Sequence, residues 1–265
     1  MTLDRAAFFA AVRARFGALT QAQVDGFTFL LDAWEARYRE RTPSTQFANV
    51  LATTAWETGR TMQPIREKGD ASYFTRLYDV QGRNPTRARR MGNVRPGDGA
   101  RYNGRGYVQL TWFVNYQKAT KRLRDLGVIG PDVDFTRAPD LVMRPEYAVV
   151  ILFEGMEQGW FTGVDLDDCI DGTMDGDEHA DFVRARRIIN GTDKAEQIAS
   201  LSDAFLVAIQ AGLKAGTSPA KARTSAPKAV TSPPSVPVTV PTPPVAGPVA
   251  PKPGFLARLF RRSAA

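Results

Sequence analysis

The sequence predicts a mainly α domain over residues 1–215, followed by a disordered, proline-rich C-terminal tail. Through much of the first 215 residues, apolar side chains recur every three or four positions, which is the period of an amphipathic helix. After Gly216 the composition changes, and 11 of the chain's 18 prolines fall between Pro219 and Pro253. Such a segment favours extended polyproline structure and cannot bury a core. We therefore expect a linker over 216–253 and a short basic tail over 254–265.

Helices are expected wherever the apolar period persists. Thr42 and Pro43 suit the N-cap and first turn of a third helix, and Gly59 suits its end. Proline at position 145 suits the start of a later one. The predicted helices cover 3–16, 21–40, 43–58, 144–158, 180–189 and 194–213.

Residues 64–106 show no sustained period and are rich in Gly, Arg, Asp and Tyr, which predicts loops with short strands. Apolar and polar residues then alternate from Tyr107 to Thr111, which predicts a strand there. Long ordered loops usually carry function. The chemistry of the protein is therefore expected in or beside this region.

The net charge of +7 belongs to the tail. Residues 214–265 contain eight Lys or Arg and no acid, whereas residues 1–213 hold 27 basic and 28 acidic side chains. A near-neutral domain does not favour nucleic-acid binding. The single cysteine, Cys169, excludes an intrachain disulfide, and the single histidine, His179, leaves little basis for a zinc site or a Ser/His triad.

No export signal or membrane anchor is expected. Asp4, Arg5 and Arg13 interrupt the apolar stretch that a secretory signal needs. The longest apolar run, 147–153, is far shorter than the roughly 20 residues that span a bilayer. We expect the protein to fold in a reducing cytosol.

Glu57 is a candidate general acid. It lies in the last turn of the third predicted helix, on the flank of its apolar stripe. Partial burial and the negative end of the helix dipole both disfavour the carboxylate and raise its pKa, as a general acid requires. Taken alone, the pattern also fits an exposed glutamate at a helix end.

The segment 102–116 combines groups that bind sugars. Gly104 and Gly106 allow a close backbone approach. Neutral hydrogen-bonding groups and flat aromatic faces follow, although a structural strand explains the same pattern. The polar candidates are Gln109, Thr111 and Asn115, and the aromatic ones are Tyr102, Tyr107, Trp112 and Tyr116.

Together these segments resemble glycoside hydrolase family 19, which comprises plant-type chitinases and many phage and prophage lysozymes. Three matches occur in the family's order, and the resemblance extends from the N-terminal helices to about Ala211. The matching text is Glu57-Thr58-Gly59, then Gly104-Arg105-Gly106-Tyr107-Val108-Gln109-Leu110-Thr111 with Asn115-Tyr116, then Ile188-Ile189-Asn190-Gly191.

The resemblance implies a bilobal, lysozyme-like fold whose cleft is framed by the Glu57 helix and the 104–115 segment. Glu57 would protonate the glycosidic oxygen, Glu67 would activate water, and Thr111 would help to hold Glu67. The family inverts, so the two carboxyls should stand roughly 6.5–9.5 Å apart. Matches to substrate-contacting positions are Gln109, Asn115 and Asn190, and Arg105 belongs to the family motif.

Three departures from the family pattern affect this transfer. Trp56 replaces a histidine, Val114 stands where plant members have tyrosine, and Glu67 follows Glu57 at a shorter spacing than in plant chitinases. The base therefore has two rivals in the same loop region, Asp70 and Asp98.

No metal or cofactor is expected. Residues 167–178 fit a calcium-loop template at four positions but place Cys169 where an acid or amide is needed, so an acidic surface loop is the simpler interpretation. Seven arginines between 83 and 105 favour either steering of an anionic wall polymer or a solvated charged loop.

The sequence therefore predicts a phage or prophage endolysin that collects in the host cytoplasm and hydrolyses the β-1,4 bonds of peptidoglycan strands. A chitinase and a virion-associated structural or adaptor protein are the alternatives. In the tail, four apolar residues can share one helical face opposite three arginines, which predicts contact with an anionic membrane or lipopolysaccharide. These residues are Phe255, Leu256, Leu259 and Phe260, opposite Arg258, Arg261 and Arg262.

Overall fold

The computed structural model of the protein describes residues 2–217, and within them it is mainly α, as predicted. A short antiparallel sheet pairs β1 (Ile65–Arg66) with β2 (Arg105–Gly106). The helices are α1 (Arg5–Phe16), α2 (Gln21–Ala33), α3 (Ser44–Glu57), α4 (Ala71–Tyr78), α5 (Pro85–Arg90), α6 (Asp98–Arg101), α7 (Phe113–Asp125), α8 (Pro145–Glu157), α9 (Glu178–Ala185) and α10 (Ala195–Thr217). Residues 216 and 217, which were assigned to the linker, are helical. The remaining tail predictions lie outside the described residues.

Helix α3 lies at the centre of the main core. Its side chains are buried on every face from Thr45 to Ala55, because α10, α8 and α9 pack around it. Trp34, in the π-helical turn that continues α2, stacks on Phe47 of α3 with ring centroids 4.4 Å apart. A buried side chain of this size contributes about 1.5–3 kcal/mol to folding. The last residue of α3, Glu57, is therefore carried by a rigid support.

Helix α10 is long and apolar enough, by length and composition, to cross a membrane between Ala195 and Gly216. Half of that stretch is buried within the fold, where it packs against α1, α3 and α9. Its apolar character is therefore explained by its place as a core helix.

A second, smaller apolar cluster lies within residues 60–112, which we call the 60–112 segment. Phe74 and Tyr78 of α4, Ala88 of α5 and Trp112 form it. The Tyr78 and Trp112 rings meet edge to face, with centroids 5.1 Å apart. A large and a small cluster agree with the prediction of two lobes.

Several local expectations were wrong. The supposed loop region 64–106 contains α4, α5 and α6, and α7 was not predicted at all. Residues 107–109 form a turn rather than a strand, with Gln109 at φ +52°. Thr42 does not cap α3, because its hydroxyl donates to the Glu157 carboxylate and Pro43 precedes the first helical residue.

Candidate active site

Glu57 ends α3 and is nearly buried, with its side chain 10% exposed. Arg186, in the 3₁₀ turn that follows α9, donates from Nη1 to Glu57 Oε1 at 2.8 Å. Burial raises the pKa of Glu57 above its usual value, and the charge and hydrogen bond of Arg186 oppose that rise. The predicted desolvation of the Glu57 carboxyl is therefore confirmed. Its cationic partner, Arg186, was not predicted from the sequence.

The Arg186 guanidinium is itself buried and fixed. Its side chain is 3% exposed, and Nε donates to the Asp193 carbonyl at 3.1 Å. A buried arginine needs an acidic partner, and Glu57 supplies it. In the sequence, Arg186 lies 129 residues from Glu57, two positions before the Ile188–Gly191 motif. Only its closeness to that motif could have drawn attention to it.

Glu67 follows β1 directly and is held by neutral donors. Gly104 N donates to Glu67 Oε2 at 3.1 Å, and the Tyr78 hydroxyl donates to Oε1 at 2.9 Å. The Tyr73 hydroxyl lies farther away, at 3.5 Å. Burial raises the pKa of Glu67, and these three hydrogen bonds oppose the rise because they favour the carboxylate.

Gly104 is required for this arrangement. A Cβ at this position would stand 3.2 Å from Glu67 Oε2 and 3.0 Å from Gln109 Oε1. The same backbone also accepts a hydrogen bond from Glu67 N at 2.8 Å. Glu67 therefore makes backbone and side-chain bonds to one residue, and only glycine allows both without displacement.

Thr111 does not hold Glu67 in the structure. Its hydroxyl donates to the Gln109 carbonyl at 2.8 Å. The hydroxyl hydrogen that was predicted to bind Glu67 therefore binds a backbone carbonyl. Tyr78, Tyr73 and Gly104 take that place. Neither tyrosine was selected from the sequence, because both lie in a segment that showed no helical period.

Gln109 and Asn115 brace the backbone beside the site. The Gln109 amide donates to the carbonyls of Ile65 and Gly106, both at 3.0 Å, and Asn115 donates to the Thr111 carbonyl at 2.8 Å. Asn190 is half-buried, and its N–H donates to the Arg186 carbonyl at 3.1 Å. Contact of these three side chains with substrate stays a prediction.

The predicted sugar-stacking faces are covered by protein. Tyr107 is 1% exposed, and Tyr102 and Trp112 are also buried. Contact of these rings with substrate stays a prediction. The same holds for Arg105, whose guanidinium is buried and donates to Asp140 Oδ1 at 2.8 Å and to the Tyr116 hydroxyl at 2.9 Å. In the structure these residues support the loops that carry Glu67 and Gly104.

The two rival carboxylates both accept hydrogen bonds from nearby backbone. Asp70 accepts from Tyr73 N at 2.7 Å at the start of α4, and Asp98 accepts from Val94 N and Arg95 N at 2.9 and 2.8 Å. Each carboxylate is thus tied to its own turn. By capping α4, Asp70 also helps to place Tyr73 near Glu67.

The acidic stretch 167–178 is bonded to the protein itself. Asp167 accepts from Gln46 at 2.7 Å, and Asp171 accepts from Thr173. Between residues 2 and 217, no three His, Cys, Asp or Glu side chains are grouped so that they could hold a metal ion. His179 lies between Asp203 and Glu196, at 2.6 and 3.2 Å.

The structure thus gives the two candidate carboxyls contrasting surroundings. One nearly buried glutamate has a cationic partner, the other has neutral donors, and burial raises both pKa values. Pairs of titratable groups in contrasting environments are typical of acid/base catalysis. One carboxyl comes from the main core and the other from the 60–112 segment.

Comparison with solved structures finds bacterial chitinases. Chitinase C from Streptomyces griseus has a TM-score of 0.46 and 22% identity, over 79% of this chain and 76% of that chain. A variant of chitinase C gives 0.48 and 20% over the same shares, and a bacterial family 19 chitinase gives 0.44 and 22% over 80% of this chain and 95% of its own. No protein-family model and no curated protein matches the chain. Because these TM-scores lie below 0.5, the function is argued from the residues of the site and not from these structures.

Proposed function

We propose that this protein is a glycoside hydrolase of the family 19 type that cleaves β-1,4 bonds between N-acetylhexosamines in peptidoglycan. One observation carries the proposal. Glu57 and Glu67, the positions that the sequence resemblance assigns to acid and base, are both nearly buried carboxyls with raised pKa values. Desolvated carboxyls with raised pKa values suit proton transfer to and from a substrate.

In the proposed reaction, Glu57 gives its proton to the glycosidic oxygen as the bond from that oxygen to the anomeric carbon breaks. Glu67 takes a proton from a water molecule whose oxygen bonds to the anomeric carbon from the opposite face. The donors Gly104 N–H and the Tyr78 hydroxyl keep Glu67 ionised for this step. Arg186 stabilises the Glu57 carboxylate that forms.

The stereochemistry of the product tests this mechanism. Attack from the opposite face converts a β bond into an α anomer at the new reducing end. Proton NMR of the first products from a soluble N-acetylhexosamine oligomer should show the α anomer before mutarotation. Initial release of the β anomer would contradict the assignment of Glu67 as a base that activates water.

A direct comparison of cleavage rates tests whether the substrate is peptidoglycan or chitin. Purified peptidoglycan and chitin oligomers offer the same type of bond, and the new reducing ends released from each can be counted at equal bond concentration. We expect faster cleavage of peptidoglycan. Faster cleavage of chitin oligomers would make the protein a chitinase.

The biological role proposed here is that of a phage or prophage endolysin that collects in the host cytoplasm. A virion-associated protein with the same fold is the alternative. Immunodetection in purified virions and in lysates separates the two, since a free endolysin occurs only in lysates.

A further inference from the structure

Helix α4 presents two different faces. One face carries Tyr73 and Tyr78 towards Glu67. Since residues three and four apart are neighbours on a helix surface, Ser72, Thr75 and Arg76 lie together on the adjoining face. These three residues, with Gln81, Gly82 and Arg83, line an open pocket of about 480 Å³.

The loop after α4 holds the pocket in shape. Arg83 N donates to the Arg76 carbonyl and Gly82 N donates to the Asp79 carbonyl, both at 2.9 Å. A Cβ on Gly82 would stand 2.2 Å from the Thr75 carbonyl oxygen, so only glycine lets the loop close onto the end of the helix. The backbone of Arg83 is therefore fixed beside that of Arg76.

The two guanidiniums have no acidic partner among residues 2–217, because no carboxylate there forms an ion pair with Arg76 or Arg83. The nearby carboxylate, Asp79, is buried and accepts from Gly97 N and Gly99 N at 2.8 and 3.0 Å. Arg76 lies over the Tyr73 ring, 5.6 Å from its centroid, which limits its orientations. The pocket thus holds two uncompensated positive charges.

The surrounding sequence has the same sign. The 60–112 segment contains eleven Lys or Arg and four Asp or Glu, whereas the other residues up to 213 contain sixteen and twenty-four. The summed charge of residues 1–213 is close to zero, but the 60–112 segment, which contains Glu67, carries a net positive charge. Such a field attracts an anionic polymer and offers nothing to a neutral one.

We propose that the pocket between Arg76 and Arg83 binds the carboxylates of peptidoglycan stem peptides. This inference rests on the proposed function and specifies what the enzyme recognises. Guanidinium groups bind carboxylates through two parallel hydrogen bonds, and the neutral donors of Ser72, Thr75 and Gln81 suit the amides of a peptide. Chitin carries neither a carboxylate nor a peptide.

The position of the pocket determines which kinetic constant it affects. Among the described residues, Glu57 and Glu67 take their side-chain hydrogen bonds from Arg186, Gly104, Tyr78 and Tyr73, none of which lines the pocket. The pocket is therefore assigned to binding of the strand and not to the two carboxyls. A stem peptide of the bound strand or of a neighbouring strand can reach it. Loss of the pocket should therefore raise KM for peptidoglycan and leave kcat nearly unchanged.

Binding tests the pocket without requiring turnover. The double variant Arg76→Gln/Arg83→Gln is compared with Arg13→Gln/Arg15→Gln, which removes the same charge from exposed arginines of α1 that also lie over aromatic rings. Each is made in the Glu57→Gln background. The probe is insoluble peptidoglycan freed of phosphate polymers with hydrofluoric acid, either native or with its carboxyls amidated by carbodiimide and methylamine. Circular dichroism melts confirm folding.

We expect the pocket pair to weaken binding to native peptidoglycan about tenfold relative to the α1 pair, and to have no effect on the amidated wall. In the active protein, the pocket pair should raise KM for peptidoglycan by a similar factor, with kcat within about twofold and cleavage of chitin oligomers unchanged. Equal binding by the two pairs, or a loss that persists on amidated wall, would overturn the inference.

If the unsubstituted protein cleaves no peptidoglycan, the proposed function fails, while the binding comparison still reports on the pocket.

Discussion

At the scale of single residues, the two glutamates differ in the charge of their partners. Glu57 faces a buried guanidinium, whereas Glu67 accepts hydrogen bonds from Tyr78, Tyr73 and Gly104 N–H. An acid must be protonated and a base ionised when substrate binds. With the proposed roles, the alkaline limb of the pH–rate profile should report on Glu57, and the acidic limb should report on Glu67.

Replacing Arg186 should move the alkaline limb. Arg186 lowers the pKa of Glu57 against the effect of burial. In Arg186→Gln that opposition is lost, the pKa of Glu57 rises further, and the acid keeps its proton to higher pH. We expect the alkaline limb of kcat/KM to shift upward by about one pH unit or more. Arg186→Lys keeps the positive charge and should shift the limb less, so equal profiles for both variants would argue against an electrostatic role.

Tyr78→Phe should move the other limb. The Tyr78 hydroxyl stabilises the Glu67 carboxylate through a 2.9 Å hydrogen bond, so its removal raises the pKa of Glu67. The base then becomes protonated at a higher pH, and the acidic limb moves upward. Tyr73→Phe removes a contact of 3.5 Å and serves as the matched control, with a smaller shift expected. A pH–rate series on both variants makes the measurement, and a larger shift for Tyr73→Phe would contradict the geometry.

At the scale of elements, the periodic helices were predictable and the short ones were not. Helices α1–α3 and α8–α10 follow the predicted apolar period. The sequence placed Glu57 on the flank of the α3 stripe, although α3 is buried on every face. Helix α4 has eight residues, too few for a clear period, although Asp70 at its N-cap was a readable signal. Helix α7 is largely polar. The turn at 107–109 reads as a strand because only tertiary contacts give Gln109 its positive φ.

The candidate site shows the same division. Glu57 and Glu67 were identified by local sequence and by the resemblance. Arg186 and Tyr78 reach them only through the fold, so no local pattern indicates their roles. Trp112 and Tyr107 were predicted as sugar-binding faces, and the structure buries both rings. The residue type alone does not distinguish an aromatic side chain in a core from one in a cleft.

Gly104→Ala tests how closely the β2 region fits Glu67. The new methyl group would stand 3.2 Å from Glu67 Oε2, so the carboxylate or the loop must shift. We expect kcat to fall about tenfold or more, since small displacements of a catalytic group are costly. Gly130→Ala is the control, because no atom lies within 4 Å of its added Cβ and its φ is not positive. Similar kcat values for the two variants would show that Glu67 tolerates the displacement.

At the scale of the whole molecule, charge is unevenly distributed. The 60–112 segment is basic, the rest of the residues up to 213 are acidic in sum, and residues 214–265 add eight further cations. Because the proposed substrate, peptidoglycan, and bacterial envelopes are anionic, both basic stretches suit the proposed function. The first contributes to the candidate site, and the second lies outside the described residues, apart from its first four.

Deletion of residues 254–265 tests the sequence-based proposal for the tail. Hydrolysis of purified peptidoglycan should be unchanged, because Glu57, Glu67 and their partners lie elsewhere in the chain. Binding to anionic vesicles should weaken, and at high salt the full chain should lose most of its advantage, since Arg258, Arg261 and Arg262 act through screened charges. Equal vesicle binding with and without the tail at both salt concentrations would remove its assigned role.

Mass spectrometry of the fragments released from purified peptidoglycan tests the central claim most directly. The account predicts soluble muropeptides that end in a new reducing N-acetylhexosamine. It also predicts that Glu57→Gln, which keeps the shape of the side chain but has no proton to donate, lowers their release by several orders of magnitude while circular dichroism shows a folded protein. Cleavage at peptide or amide bonds would contradict the account. So would comparable release by the Glu57→Gln protein.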